Sequence, residues 1–280
     1  KQYRGQIDIY VTERGLLLVV NTLGLEEYVR GVLFHEVSHR WPMEALKAQA
    51  VATRSYVLYQ AHENQEQKYD VTSDIYSQVY GGKSAERYRT NIATKRTEGE
   101  VMIYNGKILP AYFHANSGGH TEDVKEMWNH PDLPPLSGVE DPYAEEAPAY
   151  YWRRNFRSGD IQRLLKDNGY RIGLIKDITV IDRTRSGRVR TLRIEDRDGK
   201  VITISGKAFR HIVGPNVISS NLYEIIMKGY FFDLIGKGWG HGVGMSQWGA
   251  QVMSRKRMKY DEILRFYYPG VRIVKIGSTG

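Results

Sequence analysis

The chain has 280 residues, 41% hydrophobic and 26% charged, which fits one large folded domain or a core with a sizeable insertion and excludes a disordered polymer. With no cysteine it has no disulfide framework, no thiolate metal site and no cysteine nucleophile, and no stretch approaches the ~18 apolar residues of a membrane span. The formal charge of +8 favours polyanionic partners such as nucleic acid, anionic lipid or bacterial wall, but zinc-finger, RNA-recognition and phosphate-loop signatures are missing and nucleic acid is set aside.

Residues 2–22 alternate and then run apolar around Glu13-Arg14-Gly15, which predicts a β-hairpin. The stretch Leu25 to Tyr59 predicts two helices joined at His39-Arg40-Trp41-Pro42, with Pro42 opening the second. In the first, Leu25, Val29, Val32 and Leu33 form one stripe at helical spacing, and the next position on that stripe is Glu36. A carboxyl group in apolar surroundings has its pKa raised, because desolvation penalises the charged form, so Glu36 is a candidate general acid. The bland alternative is a helix that ends early, with Glu36 pointing at solvent. The second helix is rich in small residues (Ala45, Ala48, Ala50, Ala52). It aligns Gln49, Thr53 and Tyr56 on one side with Arg54 adjacent, either a substrate wall or ordinary surface.

Residues 69–82 read as irregular, followed by a helix from about Ser84 to Thr97. A hairpin comes next, Glu100 to Tyr104 and Lys107 to Phe113 around Asn105-Gly106. It delivers the chain into a polar, glycine-containing loop, residues 114–123, with Ser117, His120, Glu122 and Asp123. Residues 127–148 read as a long connection. Within 151–235 the sequence predicts helices near Ser158–Asp167 and Gly206–Ile212 and strands near Ile178–Asp182, Val189–Glu195 and Val201–Ile204, with no chemical constellation. Five glycines fall within residues 236–244 around His241, ahead of a helix at about Met245 to Arg257. Such a turn either brings backbone N–H groups to a ligand or is a tight packed turn with a core histidine. The basic cluster Arg255, Lys256, Arg257 and Lys259 reads as a solvated helix face. A helix at Tyr260–Tyr268 and a strand at Val271–Ile276 complete an α+β chain: a catalytic core of helices and β-hairpins (1–140 and 236–280) with an inserted α+β module (141–235).

Three ordered blocks, LEEYVRGVLFHEVSHRWPMEALKAQAVATRSY (25–56), AYFHANSGGHTEDVKEMW (111–128) and GKGWGHGVGMSQWGA (236–250), resemble the SpoIID/LytB family of peptidoglycan proteins. The resemblance implies a lytic transglycosylase that cuts the MurNAc-β-1,4-GlcNAc bond of glycan strands stripped of stem peptides. It places the catalytic glutamate at Glu36, ahead of Trp41-Pro42. Gly24 and Ser55 depart from the family's usual proline and threonine. Gln49, Arg54, Tyr56, Ser117, His120, His241, Ser246 and Gln247 are the expected glycan-binding residues. No cofactor is required on this reading. Some relatives bind zinc at the two ends of the A-N-S-G-G segment, here His114 and His120, which makes them candidate zinc ligands. A hydrolase would need a second carboxylate; Asp74, Glu122 and Asp123 are the candidates. Two other classes stay open: a wall-binding enhancer of a cell-wall amidase that cuts no sugar, and a zinc hydrolase on His114, His120 and His241. Extracytoplasmic action is expected, with a signal or membrane anchor upstream of Lys1.

Overall fold

The structure is a computed structural model and describes residues 1–73, 77–128, 132–148 and 150–277. It is α+β, and the chain divides into two compact units, 1–112 with 253–280, and 113–252. No helix among the described residues is long and apolar enough to cross a membrane.

The first unit opens with a two-stranded antiparallel hairpin, β1 (Gln6–Val11) and β2 (Leu17–Thr22). Helix α1 (Leu25–Glu36) follows and buries Val29, Val32 and Leu33, the stripe set by the sequence spacing. Helix α2 (Met43–Glu63) starts one residue after the expected position, with Pro42 as its N-cap. Every residue from Ala48 to Val57 is buried, which is the mark of a central helix. It packs against α1, against α3 (Tyr88–Arg96) and against strand β3 (Glu100–Tyr104). The turn after β3 has Asn105 at φ 48° and Gly106 at φ 78°, the positive pair that a tight hairpin demands. Strand β4 is only Lys107–Ile108, shorter than expected: Pro110 has no N–H to give a ladder.

The second unit begins where that predicted strand was to end. Phe113–His114 forms β5, followed by the short helix α4 (Val124–Met127). Next come β6 (Tyr151–Arg157), α5 (Ser158–Asp167), β7 (Ile175–Arg183), β8 (Val189–Asp196), β9 (Val201–Ser205) and α6 (Gly206–Val213). Then β10 (Tyr223–Lys228), β11 (Phe231–Lys237), β12 (Met245–Ser246) and α7 (Gln247–Arg255) complete it. Two antiparallel sheets, ordered β7-β8-β9 and β10-β11-β6, share one core with α5 and α6 that includes Trp152, Ile161, Leu192, Phe209 and Phe232. Residues 141–235 therefore do not stand apart as a module. They share a unit with 113–140 and 236–252, because β5 pairs in parallel with β12 and β6 pairs with β11. The chain then returns to the first unit with α8 (Tyr260–Tyr267), which packs on α2, and β13 (Arg272–Lys275), which pairs with β3.

Candidate functional site

Glu36 is the last residue of α1, half-buried, between buried Leu33 and Val37. The helix reaches it rather than ending early. Two phenols on the same unit feel its charge. Burial pushes the Tyr56 phenol up and the negative charge of Glu36 adds to this, while a hydrogen bond with Ser77 opposes it. Burial likewise pushes Tyr28 up, with Tyr56 and Glu36 as further causes. Tyr28 Oη donates to Gln78 Oε1 (3.2 Å), and the buried Nε2 of Gln78 has no partner. The segment carrying Gln78 presses onto α1: Gly81 N–H donates to Gly31 O (3.0 Å), and a Cβ on Gly31 would stand 2.3 Å from the Tyr80 ring. Glycine at 31 is what lets that segment lie so close to Glu36's helix.

The neighbouring polar residues of α2 are internal. Arg54 has no exposed surface; its Nε and Nη2 fork onto Glu26 (2.7 and 2.8 Å), and Nη1 donates to Glu100 O (2.9 Å). Glu26 also accepts from Gly99 N (3.1 Å). This corrects the expectation that Arg54 meets a sugar: it ties α1 and α2 to β3. Gln49 is also buried, with its Nε2 on Thr53 Oγ1 (3.3 Å), and Tyr56 is buried.

In the second unit the two glycine-bearing blocks are stitched together by β5·β12 and by single bridges, Asn116 to Trp239 and Glu122 to Val243. Ser117 is fully buried and donates to Asp141 (2.7 Å); Ser246 is fully buried and accepts from Ser117 N and from Gly249 N, which caps α7. Gln247 is buried. Ser117 and Ser246 thus hold the loops together. His120 is half-buried with Nδ1 2.6 Å from Thr121 O.

The glycines serve close packing. At Gly238, Gly240 and Gly242, all at positive φ, a Cβ would fall 2.7 Å from Asn116 O, 2.8 Å from the His114 Cβ and 2.5 Å from the Arg188 guanidinium. That guanidinium is the residue the sequence did not single out. Buried among the loops, Arg188 donates to the carbonyls of Ser117 (2.6 Å) and His120 (2.8 Å) and to Ser186 Oγ (2.8 Å). Ser186 and Thr184 in turn donate to Glu122. Burial pulls the Arg188 pKa down to about 10 while Glu122 opposes this, so it stays charged near neutrality. A lone arginine before a strand carries no sequence signal of such a role.

Burial keeps His114 and His241 neutral. His241 Nδ1 accepts from Val243 N (3.1 Å) and the ring donates to the Phe113 carbonyl, which fixes the tautomer. Burial pulls its pKa down to about 4, against that bond and helped by Arg188 and Arg210. Burial, then His241 and Arg188, hold His114 well below the usual histidine range; its Nδ1 lies 3.1 Å from Val243 O and its buried Nε2 is unpartnered. The rings of His114 and Trp128 stand 5.5 and 5.1 Å from that of His241. Two imidazole lone pairs, on Nε2 of His114 and of His120, do not make a zinc site: both nitrogens of His241 are engaged and Glu122 already accepts from Asp123 N, Thr184 and Ser186. Among the described residues no three His, Cys, Asp or Glu groups gather for a metal. None of the described residues joins His114 and His120 to complete a zinc site. Of the candidate second carboxylates, Glu122 is buried, Asp123 caps α4 through Lys125 N (2.9 Å), and Asp74 lies outside the described residues. The open aromatic surface is Trp128 (37% exposed) and Trp239 (49%), neither proposed from the sequence.

A model of the family described as SpoIID, stage II sporulation protein, matches residues 13–104, which hold Glu36. The stage II sporulation protein D of Bacillus subtilis is 30% identical over 272 residues, 91% of this chain and 75% of that protein. The chain belongs to the stage II sporulation protein D family. A domain of unknown function matches residues 136–244, the stretch that supplies Arg188 and the glycine turn. An uncharacterised protein of Brachyspira hyodysenteriae is 35% identical over 274 residues, 98% of this chain and 72% of its own length. The amidase enhancer of Bacillus subtilis is 28% identical and covers 88% of this chain but only 40% of that protein.

Proposed function

We propose that the chain acts outside the cytoplasm on the bacterial cell wall, as a lytic transglycosylase with Glu36 as its single acid and base. The observation that carries this reading is the placement of Glu36. It is a half-buried carboxyl group at the end of a helix whose other stripe positions are core, beside two buried tyrosines. Glu36 protonates the glycosidic oxygen as the bond to C1 of MurNAc breaks. The C6 hydroxyl of the same sugar then bonds to C1, and its proton goes to the Glu36 carboxylate, which restores the acid. The product carries a 1,6-anhydro ring, no water is consumed, and the nucleophile is already tethered. This scheme agrees with the saturation of Glu122 and the capping role of Asp123, since it asks for no second carboxylate. On the unit that carries Glu36, Gln78 offers the glycan a free amide donor beside Tyr28; the second unit has its own partly open groups, His120, His241, Trp128 and Trp239.

The test is mass spectrometry of glycan strands, with and without stem peptides, after incubation with wild type and Glu36→Gln. Wild type is expected to release 1,6-anhydroMurNAc ends. The variant should lose about 10³-fold in rate, the scale of a general acid, with its thermal midpoint unchanged. Reducing ends instead of anhydro ends would require a hydrolytic base. The relative named amidase enhancer supports a second reading, a wall-bound activator of a partner amidase. Stimulation of an amidase that survives Glu36→Gln, with no strand cleavage by wild type, would favour it.

A further inference from the structure

One face of the β10-β11-β6 sheet is core and the other is open, and the open face is not an ordinary polar one. Alternation puts Trp152, Phe156, Phe232 and Leu234 inward, in the core of the second unit. Outward on the same strands stand Tyr151, Arg153 and Arg157 of β6, Phe231, Ile235 and Lys237 of β11 and Ile226 and Lys228 of β10, all exposed, together with Glu224 of β10, whose charge is met by Arg183 (2.8 Å). Tyr151 is 60% exposed and Phe231 45%. Four cations and two rings thus share a strip of about 20 Å, the length of a seven-residue strand.

The strip is ordered from within. Asp233 points the same way but is buried beneath it. It accepts from Arg153, Lys228 (2.7 Å) and Asn155 (2.8 Å), so one carboxylate on the middle strand holds side chains from both neighbouring strands. That pair of cations shares one negative charge; among the described residues no carboxylate pairs with Arg157, and Lys237 lies over the Tyr150 and Tyr151 rings at 5.6 and 5.5 Å. The strip also runs on into the glycine turn: Gly238 N donates to Tyr150 O (2.8 Å), and exposed Trp239 follows at once.

We infer that this face is a docking strip for an anionic glycan, taken as the glycan strand whose MurNAc lactyl groups are free carboxylates once stem peptides are gone. The assignment rests on the proposed action on glycan strands. Sugar rings stack on exposed tyrosine and phenylalanine faces, and the regularly repeated carboxylates meet the ordered cations. The strip would hold a strand that also reaches the Trp239 turn, which favours long strands over short ones.

The test uses the full chain carrying Glu36→Gln, so that nothing is cut, and measures sedimentation with purified peptide-free glycan strands. Their lactyl carboxylates are left free or converted to amides. Arg157→Ser with Lys237→Ser spares the Asp233 cluster and is expected to weaken binding about tenfold at low salt and to flatten its salt dependence. Arg157→Lys with Lys237→Arg, which keeps the charge, should restore it. Amidated strands should bind the unaltered face as weakly as free strands bind the serine variant. Equal binding by the serine variant, or by amidated strands, overturns the proposal. So does a DNA duplex that binds as tightly as glycan and loses binding in the same variant. Wild type assayed for anhydro ends judges the cleavage reading separately: strips can bind without cutting, and cutting can persist without the strip.

Discussion

Each unit has a fully buried arginine, and the two are used in opposite ways. Arg54 on α2 has a carboxylate of its own, Glu26, held in a two-pronged fork, and its Nη1 donates to Glu100 O and Ala50 O. Arg188 has no carboxylate within direct reach. It bonds the carbonyls of Ser117 and His120 and reaches Glu122 only through Ser186, and its Nε has no partner. The first is an ion pair that fixes helices to a strand. The second is a cation set inside a loop whose carbonyls face it, and Gly242 must lack a side chain to make room. Regular elements can be clamped by side-chain pairs, whereas a glycine-rich turn offers mainly backbone to hold.

Arg54→Met tests the first half of that contrast and has the larger expected cost. It leaves Glu26, only 20% exposed, without its cation, for a loss of about 3–5 kcal/mol in urea unfolding. Adding Glu26→Leu should recover part of it, since the unpaired charge goes too; no recovery would mean the fork matters less than the Gly99 and Glu100 contacts. Arg188→Met should cost less, about 1–3 kcal/mol, because it strands neutral carbonyls rather than a charge. No single second substitution should rescue it, because main-chain acceptors cannot be mutated away. A full rescue by Glu122→Gln would show that the arginine answers the carboxylate after all.

The contrast also explains what could be seen in advance. Helical spacing located α1 and its buried stripe and placed Glu36 at the end of that helix, because one period governs all of them. Asn105-Gly106 located a turn for a similar local reason. The burial of Arg54 is not legible in advance: a helix buried all round has no polar face, and alanines at 45, 48, 50 and 52 alone do not reveal that α1, α3, α8, β3 and β4 crowd it. Strands β6, β10 and β11 went unread although Trp152 and Phe156 alternate with outward polar residues, since cations at 153, 154 and 157 mask the period. Arg188 was out of reach. Its acceptors lie some 70 residues away in sequence, and only the folded register of β8 brings them together.

A smaller effect separates a paired carboxylate from a bare cation by pH. Asp233 is held well below the usual carboxylate range by hydrogen bonds from Lys228, Asn155 and Arg153, in that order. A depressed folded-state pKa stabilises the protein above the unfolded value of about 3.9 and is lost as pH falls from there toward the folded value. Wild type should therefore lose stability on an acid limb below about pH 4 to which Asp233 contributes. Asp233→Asn keeps the shape and drops the titration, so its stability should be lower than wild type at pH 7 and converge on it as pH falls. Arg188, charged throughout that range and facing backbone carbonyls, should give a deficit in Arg188→Met that stays level between pH 7 and pH 5. An Arg188→Met deficit that shrinks over that span would place a titrating carboxylate in its account and bring it back to the kind of pairing seen at Arg54.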